Sequence, residues 1–74
     1  MSKPLMTCYF WNDADKGDNP AWEFVGSITR DGEKRGSFCP EGYCPTRELA
    51  VEWAKILAGE LGCDYAEGKD VPNA

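Results

Sequence analysis

The stretch from Trp22 to Phe38 constrains this chain more than any other. Trp22, Phe24, Gly26 and Ile28 alternate with Glu23, Val25, Ser27 and Thr29, and a period of two with one apolar side is the pattern of a half-buried strand. Arg30-Asp31-Gly32 then turns the chain back toward a second run ending at Phe38, so an antiparallel hairpin is predicted. A three-residue loop with Gly32 left-handed in a G1 bulge pairs Phe24 with Phe38 and Gly26 with Gly36. A two-residue Asp31-Gly32 turn carried straight through would set Phe24 against Cys39 and expose Phe38 opposite Val25. The three-residue loop is expected, because it gathers Trp22, Phe24, Ile28 and Phe38 on one face and a slip of one residue would scatter them. The facing glycines would then leave a hollow on that face.

A hairpin alone is not stable in water and needs further strands or a helix to cover it. Leu5 to Trp11 is β-branched and aromatic rich and supplies a first strand. Asn12 to Pro20 consists of turn formers and reads as a polar loop. After the Pro- and Gly-bracketed connection from Cys39 to Pro45, Thr46 is a good N-cap, Glu48 suits the positive end of the helix dipole, and Gly62 suits the left-handed residue past the C-cap. Between them Leu49, Ala50, Trp53, Ala54, Ile56, Leu57 and Leu61 form one broad apolar stripe, with Glu48, Val51, Glu52 and Lys55 outside it. Trp53 is the expected occupant of the hollow over Gly26 and Gly36. Cys63-Asp64-Tyr65 either adds a short edge strand or packs back. The expected fold is α+β, a three-stranded antiparallel sheet packed on one face by a single C-terminal helix. Residues 1–65 form one domain and 66–74 a flexible C-terminal tail.

Seventy-four residues support one modest core, since a chain of this size buries only about 60% of the surface its unfolded state exposes. Dense aromatic packing is the expected compensation: three Trp, three Tyr and three Phe are present, each ring able to remove on the order of 150–250 Å² from water. The start of the chain offers no apolar run of signal-peptide length, and no stretch approaches the roughly 20 apolar residues of a membrane helix. A cytoplasmic protein without membrane contact is expected.

The chain contains no histidine, which removes the commonest general base and metal ligand. No Gly-rich phosphate loop follows a strand and opens a helix. The expectation is therefore a protein that is not an enzyme and needs no cofactor. Four cysteines in a reducing compartment are expected to be free thiols, with Cys8 a small core hydrophobe. A Cys39–Cys44 disulfide, or a zinc site built on Cys39 and Cys44 with Cys8 and Cys63, are the alternatives. Asp13-x-Asp15-x-Gly17-Asp18 has the look of a calcium loop, but its glycine comes one place early and Phe24 stands where a bidentate Glu is required.

Charge supplies the candidate contacts. The net −5 divides into −2 over residues 1–29, +1 over 30–47 and −4 over 48–74. An acidic surface disfavours generic phosphate binding and favours a basic protein partner or solubility alone. Asp13, Asp15 and Asp18 form a candidate partner-binding loop. Arg30, Lys34, Arg35 and Arg47 are the one basic concentration, read either as edge protection of a hairpin or as a partner- or phosphate-binding site.

The run Trp22, Asp31-Gly32, Lys34-Arg35-Gly36, Phe38, Thr46, Ala50 and Trp53 resembles the small three-strand-plus-helix domains typified by the arm-type DNA-binding domain of phage integrases, over about residues 21–57. The resemblance implies that the exposed sheet face enters the DNA major groove through Arg30, Arg35 and Lys34. In size and acidity the chain is also similar to small accessory proteins of phages and mobile elements, some of which inhibit host nucleic-acid enzymes. A protein-binding module or inhibitor acting on a nucleic-acid-handling enzyme is the expected function, using the acidic loop and a helix flank. Sheet-face DNA binding and a zinc-stapled structural domain are the alternatives, and a homodimer is left open.

Overall fold

The computed structural model describes residues 3–13 and 20–70. Its elements are β1 (Leu5–Asn12), β2 (Trp22–Arg30), β3 (Glu33–Phe38), α1 (Arg47–Glu60) and β4 (Asp64–Glu67). The chain is α+β, with one helix and a sheet. The sheet has four strands in the order β3-β2-β1-β4, where three were expected. It is mixed, because β4 pairs with β1 in parallel, Leu5 opposite Asp64 and Cys8 opposite Glu67. The helix is accordingly not C-terminal: it carries the chain across the sheet from one edge strand to the other. Parallel neighbours need such a crossover.

β4 also revises the expected tail. Ala66 and Glu67 belong to the sheet, the Gly68 amide continues it by donating to the Cys8 carbonyl at 2.7 Å, and Asp70 is tied to Arg47. Residues 71–74 lie outside the described residues.

The hairpin has the expected facing but not the expected register. Asp31 and Gly32 both have positive φ, +54° and +80°, which is the two-residue turn that matches strand twist. The turn pairs Arg30 with Glu33 and Thr29 with Lys34, and the ladder then shifts so that Ile28 meets Gly36 and Gly26 meets Phe38. Arg35 is therefore an extra, bulged residue. Without it Phe38 would turn to the outer face; with it Phe38 returns to the side of Phe24 and Ile28. Hydrophobic patterning fixed the parity, and the bulge displaced the pairing by two residues, so Phe24 does not face Phe38.

Met6, Cys8 and Phe10 of β1 and Phe24 of β2 are essentially fully buried beneath Ala50, Ala54 and Ala58 of α1. Burying side chains such as Met6, Phe10 and Phe24 contributes about 1.5–3 kcal/mol each. The space beside Gly26 is filled by Met6, not by Trp53: a Cβ at Gly26 would lie 2.8 Å from Met6 Cγ. Trp53 instead stands edge-on to Phe24, ring centroids 5.4 Å apart. Gly36, opposite Ile28, has no neighbour within 4 Å of a Cβ placed on it.

Thr46 caps α1 as predicted, its Oγ1 accepting from the Leu49 amide at 3.2 Å. At the other end Gly62 is left-handed (φ +72°), while the Gly62 and Cys63 amides donate to Gly59 and Ala58, a Schellman closure. The face α1 buries is narrower than the predicted stripe. Ala50, Ala54 and Ala58 lie against the sheet, Val51, Trp53 and Leu57 are half-buried, and Leu49, Ile56 and Leu61 are exposed.

Candidate interaction surface

A helix with side chains is about 10 Å across and neighbouring strands are about 4.8 Å apart, so one helix cannot cover four strands. Here α1 packs on β1, β2 and β4, and among the described residues none of its Cα atoms comes within 8 Å of one in β3. Two contacts fix which flank of α1 faces which edge: Lys55 Nζ lies 5.7 Å from the Tyr65 ring centroid on the β4 side, and Trp53 meets Phe24 on the β2 side. The flank toward β3 carries Leu49, Trp53 and Ile56, which lie on one line along the helix.

The result is an open bay between α1 and β3. Gly36 forms part of its floor and Phe38 stands at one end; Phe38 is 37% exposed, Leu49 46% and Ile56 61%. Tyr43, 49% exposed, lies in the connection between β3 and α1. That connection is pinned by two backbone hydrogen bonds between Trp22 and Cys44 (2.8 and 2.9 Å), and a Cβ on Gly42 would lie 3.5 Å from Trp53 Cη2. Glu52, three residues past Leu49, and Glu60, four past Ile56, are exposed on the same flank. The α1 border of the bay is thus acidic, while β3 on the other border carries Lys34 and Arg35; large apolar groups with charged borders form a surface suited to recognition.

The other face of the sheet is open as well, but its aromatic residues are engaged within the fold. Trp11 Nε1 donates to Glu23 Oε2 at 3.2 Å, and the Tyr9 ring lies on Gly68, where a Cβ would be 2.5 Å from it. Of the basic residues, Lys34 shares this face through its pairing with Thr29, while Arg30 falls on the Ile28 side of β2. Arg35 occupies the bulge 3.5 Å from Glu33. Arg47 lies in the helical layer over the Phe10 ring, bidentate to Asp70 (2.8 and 2.9 Å) and 3.4 Å from Glu67. The hydrogen bond to Asp70 is the main reason its pKa is raised further. The four predicted basic residues are thus not brought onto one patch, and Arg47 fastens the start of α1 to the segment after β4.

Asp13 is half-buried at the neck of the β1–β2 connection, its amide donating to the Ala21 carbonyl at 2.8 Å, while Asn12 Oδ1 accepts from the Ala21 amide. Asp15 and Asp18 lie outside the described residues. The thiols are dispersed. Cys8 and Cys63 are buried in the core, Cys39 is exposed, and Cys44 is half-buried beside Trp22; all four are free. Among the described residues no group of three or more Cys, Asp or Glu is placed to hold a metal, so the four-sulfur site does not form. Burial pushes the Cys8 thiol up to about 11 and raises Cys44 as well. In both, burial disfavours the thiolate form.

No family model matches the chain, and neither a curated protein nor a solved structure matches it. Among the described residues no helix is long and apolar enough to cross a membrane.

Sequence reasoning assigned Leu49 and Ile56 to the buried stripe and so missed the bay. The available signal was the width of the stripe. Ala50, Ala54 and Ala58 recur every four residues and already make a complete packing face, leaving Leu49 and Ile56 as a second apolar line that is exposed among the described residues.

Proposed function

We propose that this protein is a non-enzymatic binding module whose partner is another protein with a basic, partly apolar surface, docked on the flank of α1 that faces β3. The observation that carries this reading is the uncovered bay, where Phe38, Leu49 and Ile56 remain exposed because α1 reaches only three of the four strands. Exposed apolar side chains concentrated beside charged ones are costly to leave in water and are a mark of interaction surfaces. Glu48, Glu52 and Glu60 add negative charge to the exposed side of the helix, which favours a basic partner and steers its approach. Enzymes that handle nucleic acids present such basic surfaces, which keeps inhibition of one of them within this reading.

The test is affinity capture with three forms of the protein: wild type, Ile56→Asp on the bay, and Lys34→Ala on the hairpin. A stoichiometric partner retained by wild type and Lys34→Ala but lost with Ile56→Asp is the expected result. A partner lost instead with Lys34→Ala would move the site to the hairpin. No partner at all, or full retention by Ile56→Asp, would end the proposal.

A further inference from the structure

We infer that the occupant of the bay is an amphipathic, basic α-helix of the partner, laid beside α1 over β3 as the second helix of a two-layer sandwich. This rests on the docking reading above and makes it specific. The bay is bounded on one side by the Leu49, Trp53 and Ile56 line, and its floor is the inner side of β3, where Gly36 has open space in place of a side chain. A bare glycine lets a second helix approach the sheet closely, much as Ala50, Ala54 and Ala58 let α1 approach it. A helix packed beside α1 has its axis about 8–10 Å away, which places it over the edge strand that α1 does not reach, and an apolar helix face of i, i+3, i+4, i+7 anchors suits such a groove.

An added strand fits less well. β3 is an edge strand interrupted at Arg35 by the bulge and carrying Lys34 and Arg35, and bulges and basic side chains are devices that block edge pairing. A second copy of this chain fits poorly too, because the helix flank it would offer bears Glu52 and Glu60 against the same two residues, and like charges opposed at an interface cost affinity. Lysines or arginines bordering the apolar face of the incoming helix meet those glutamates instead.

The probe is a helical peptide of about 18 residues with Leu at i, i+3, i+4, i+7 spacing and Lys on the one border that would face Glu52 and Glu60 of α1; a peptide with Glu in place of Lys is the control. Binding to the full chain is titrated by amide chemical-shift mapping, with peptide helicity followed by circular dichroism. The Leu/Lys peptide is expected to bind as a helix, with shifts at Gly36, Phe38, Leu49 and Ile56, and the Leu/Glu peptide is not. Ile56→Asp should weaken the Leu/Lys peptide about tenfold or more, although it makes the protein more acidic and would strengthen purely electrostatic binding. Glu52→Lys with Glu60→Lys should exchange the preference toward the Leu/Glu peptide, which tests the charge border separately from the apolar contacts. Equal binding of both peptides, shifts centred on Tyr9 and Trp11, or a chain that dimerises through the bay by sedimentation equilibrium would each overturn the inference. If Ile56→Asp abolishes partner capture while the Leu/Lys peptide neither binds nor competes, the docking surface stands and the helical occupant falls. If partner capture is indifferent to Ile56→Asp, both fall.

Discussion

Gly26 and Gly36 lie two pairing steps apart in the same hairpin, yet alanine should act in opposite directions at the two positions. At Gly26 a new Cβ would lie 2.8 Å from Met6 Cγ and 2.9 Å from Sδ, inside any ordinary contact distance. Met6 is fully buried under α1 and Cγ is close to its backbone, so the side chain has little room to swing clear. Overpacking of this kind costs about 1–3 kcal/mol, against a gain of about 0.5–1 kcal/mol from replacing a strand glycine by alanine. Gly26→Ala is therefore expected to destabilise the fold by about 1–2 kcal/mol net. At Gly36, with open space around the new methyl group, only the gain remains, and Gly36→Ala should stabilise by about 0.4–1 kcal/mol.

The clash can be isolated by removing its partner. Met6→Ala alone costs about 2–5 kcal/mol, a large share of the roughly 4–11 kcal/mol expected for a chain this long, so the cycle is best run in a stabilising osmolyte. In the Met6→Ala background the Gly26→Ala methyl group enters the vacated space and becomes neutral or favourable, a coupling of about 1–3 kcal/mol. Urea unfolding followed by tryptophan fluorescence, with the denaturant slope held constant across variants, measures all four corners. Additive effects would show that Met6 does not fill the space beside Gly26, and the packing described for the sheet's inner face would be wrong.

Stability should fall at alkaline pH through Cys8: its thiol titrates near 9 when unfolded and at about 11 in the fold, so the unfolded chain loses its proton first and stability drops as pH rises between those values. The loss reaches about 1.4 kcal/mol by pH 10, and Cys8→Ala should remove that part of the difference between melts at pH 7 and pH 10; an unchanged slope would contradict it. Tyr65, raised to about 12 chiefly by burial, extends the same trend beyond pH 10. Asp70→Asn, which weakens the bidentate contact with Arg47, should cost about 0.5–1 kcal/mol at low salt and less in 1 M salt, since the pair is substantially exposed; a cost independent of salt would mean the contact is not electrostatic. Thr46→Ala should cost about 1 kcal/mol and Thr46→Ser little, because the serine hydroxyl still accepts from the Leu49 amide; equal losses in thermal unfolding would refute the cap.

The local signals in this sequence were strong where a residue's own chemistry decides the backbone. Asp31-Gly32 turned the chain, Thr46 and Gly62 bounded the helix, and period two placed Phe24, Gly26 and Ile28 on the inner face. What escaped was set by partners distant in sequence. The bulge at Arg35 resolves a conflict between the tight turn, which favours one register, and Phe38, which favours the other face. β4 is four residues long and polar at both ends, too short to show a period, and it is held where the Asp64 and Gly68 amides donate to the carbonyls of Pro4, just before β1, and Cys8 within it. The basic candidates failed to converge for a similar reason: Arg47 is near the hairpin residues in sequence, but the helix start carries it to the β1 and β4 side, where Glu67 and Asp70 hold it.

The position of α1 links that fourth strand to the candidate surface. Had the sheet been three-stranded, a helix seated centrally over β2 would have used Leu49, Trp53 and Ile56 to cover Phe38, and the broad stripe read from the sequence would have been the buried face. β4 adds Tyr65 on the inner side of the far edge, paired with Met6, and Lys55 and Arg47 reach toward β4 and the segment after it. The alanine row is what the helix can bring closest to the sheet, and it centres α1 over β1 and its neighbours. The large apolar side chains are thereby rotated toward β3, where Leu49 and Ile56 stay exposed among the described residues. A mutation that unseats β4 should let α1 roll back and bury Ile56, so Ile56 exposure is coupled to β4 pairing. Deleting residues 64–74 while monitoring solvent protection at Ile56 tests this. Greater protection of Ile56 in a chain that remains folded is the expected outcome, and an equally exposed Ile56 would show that α1 is held in place by β1 and β2 alone.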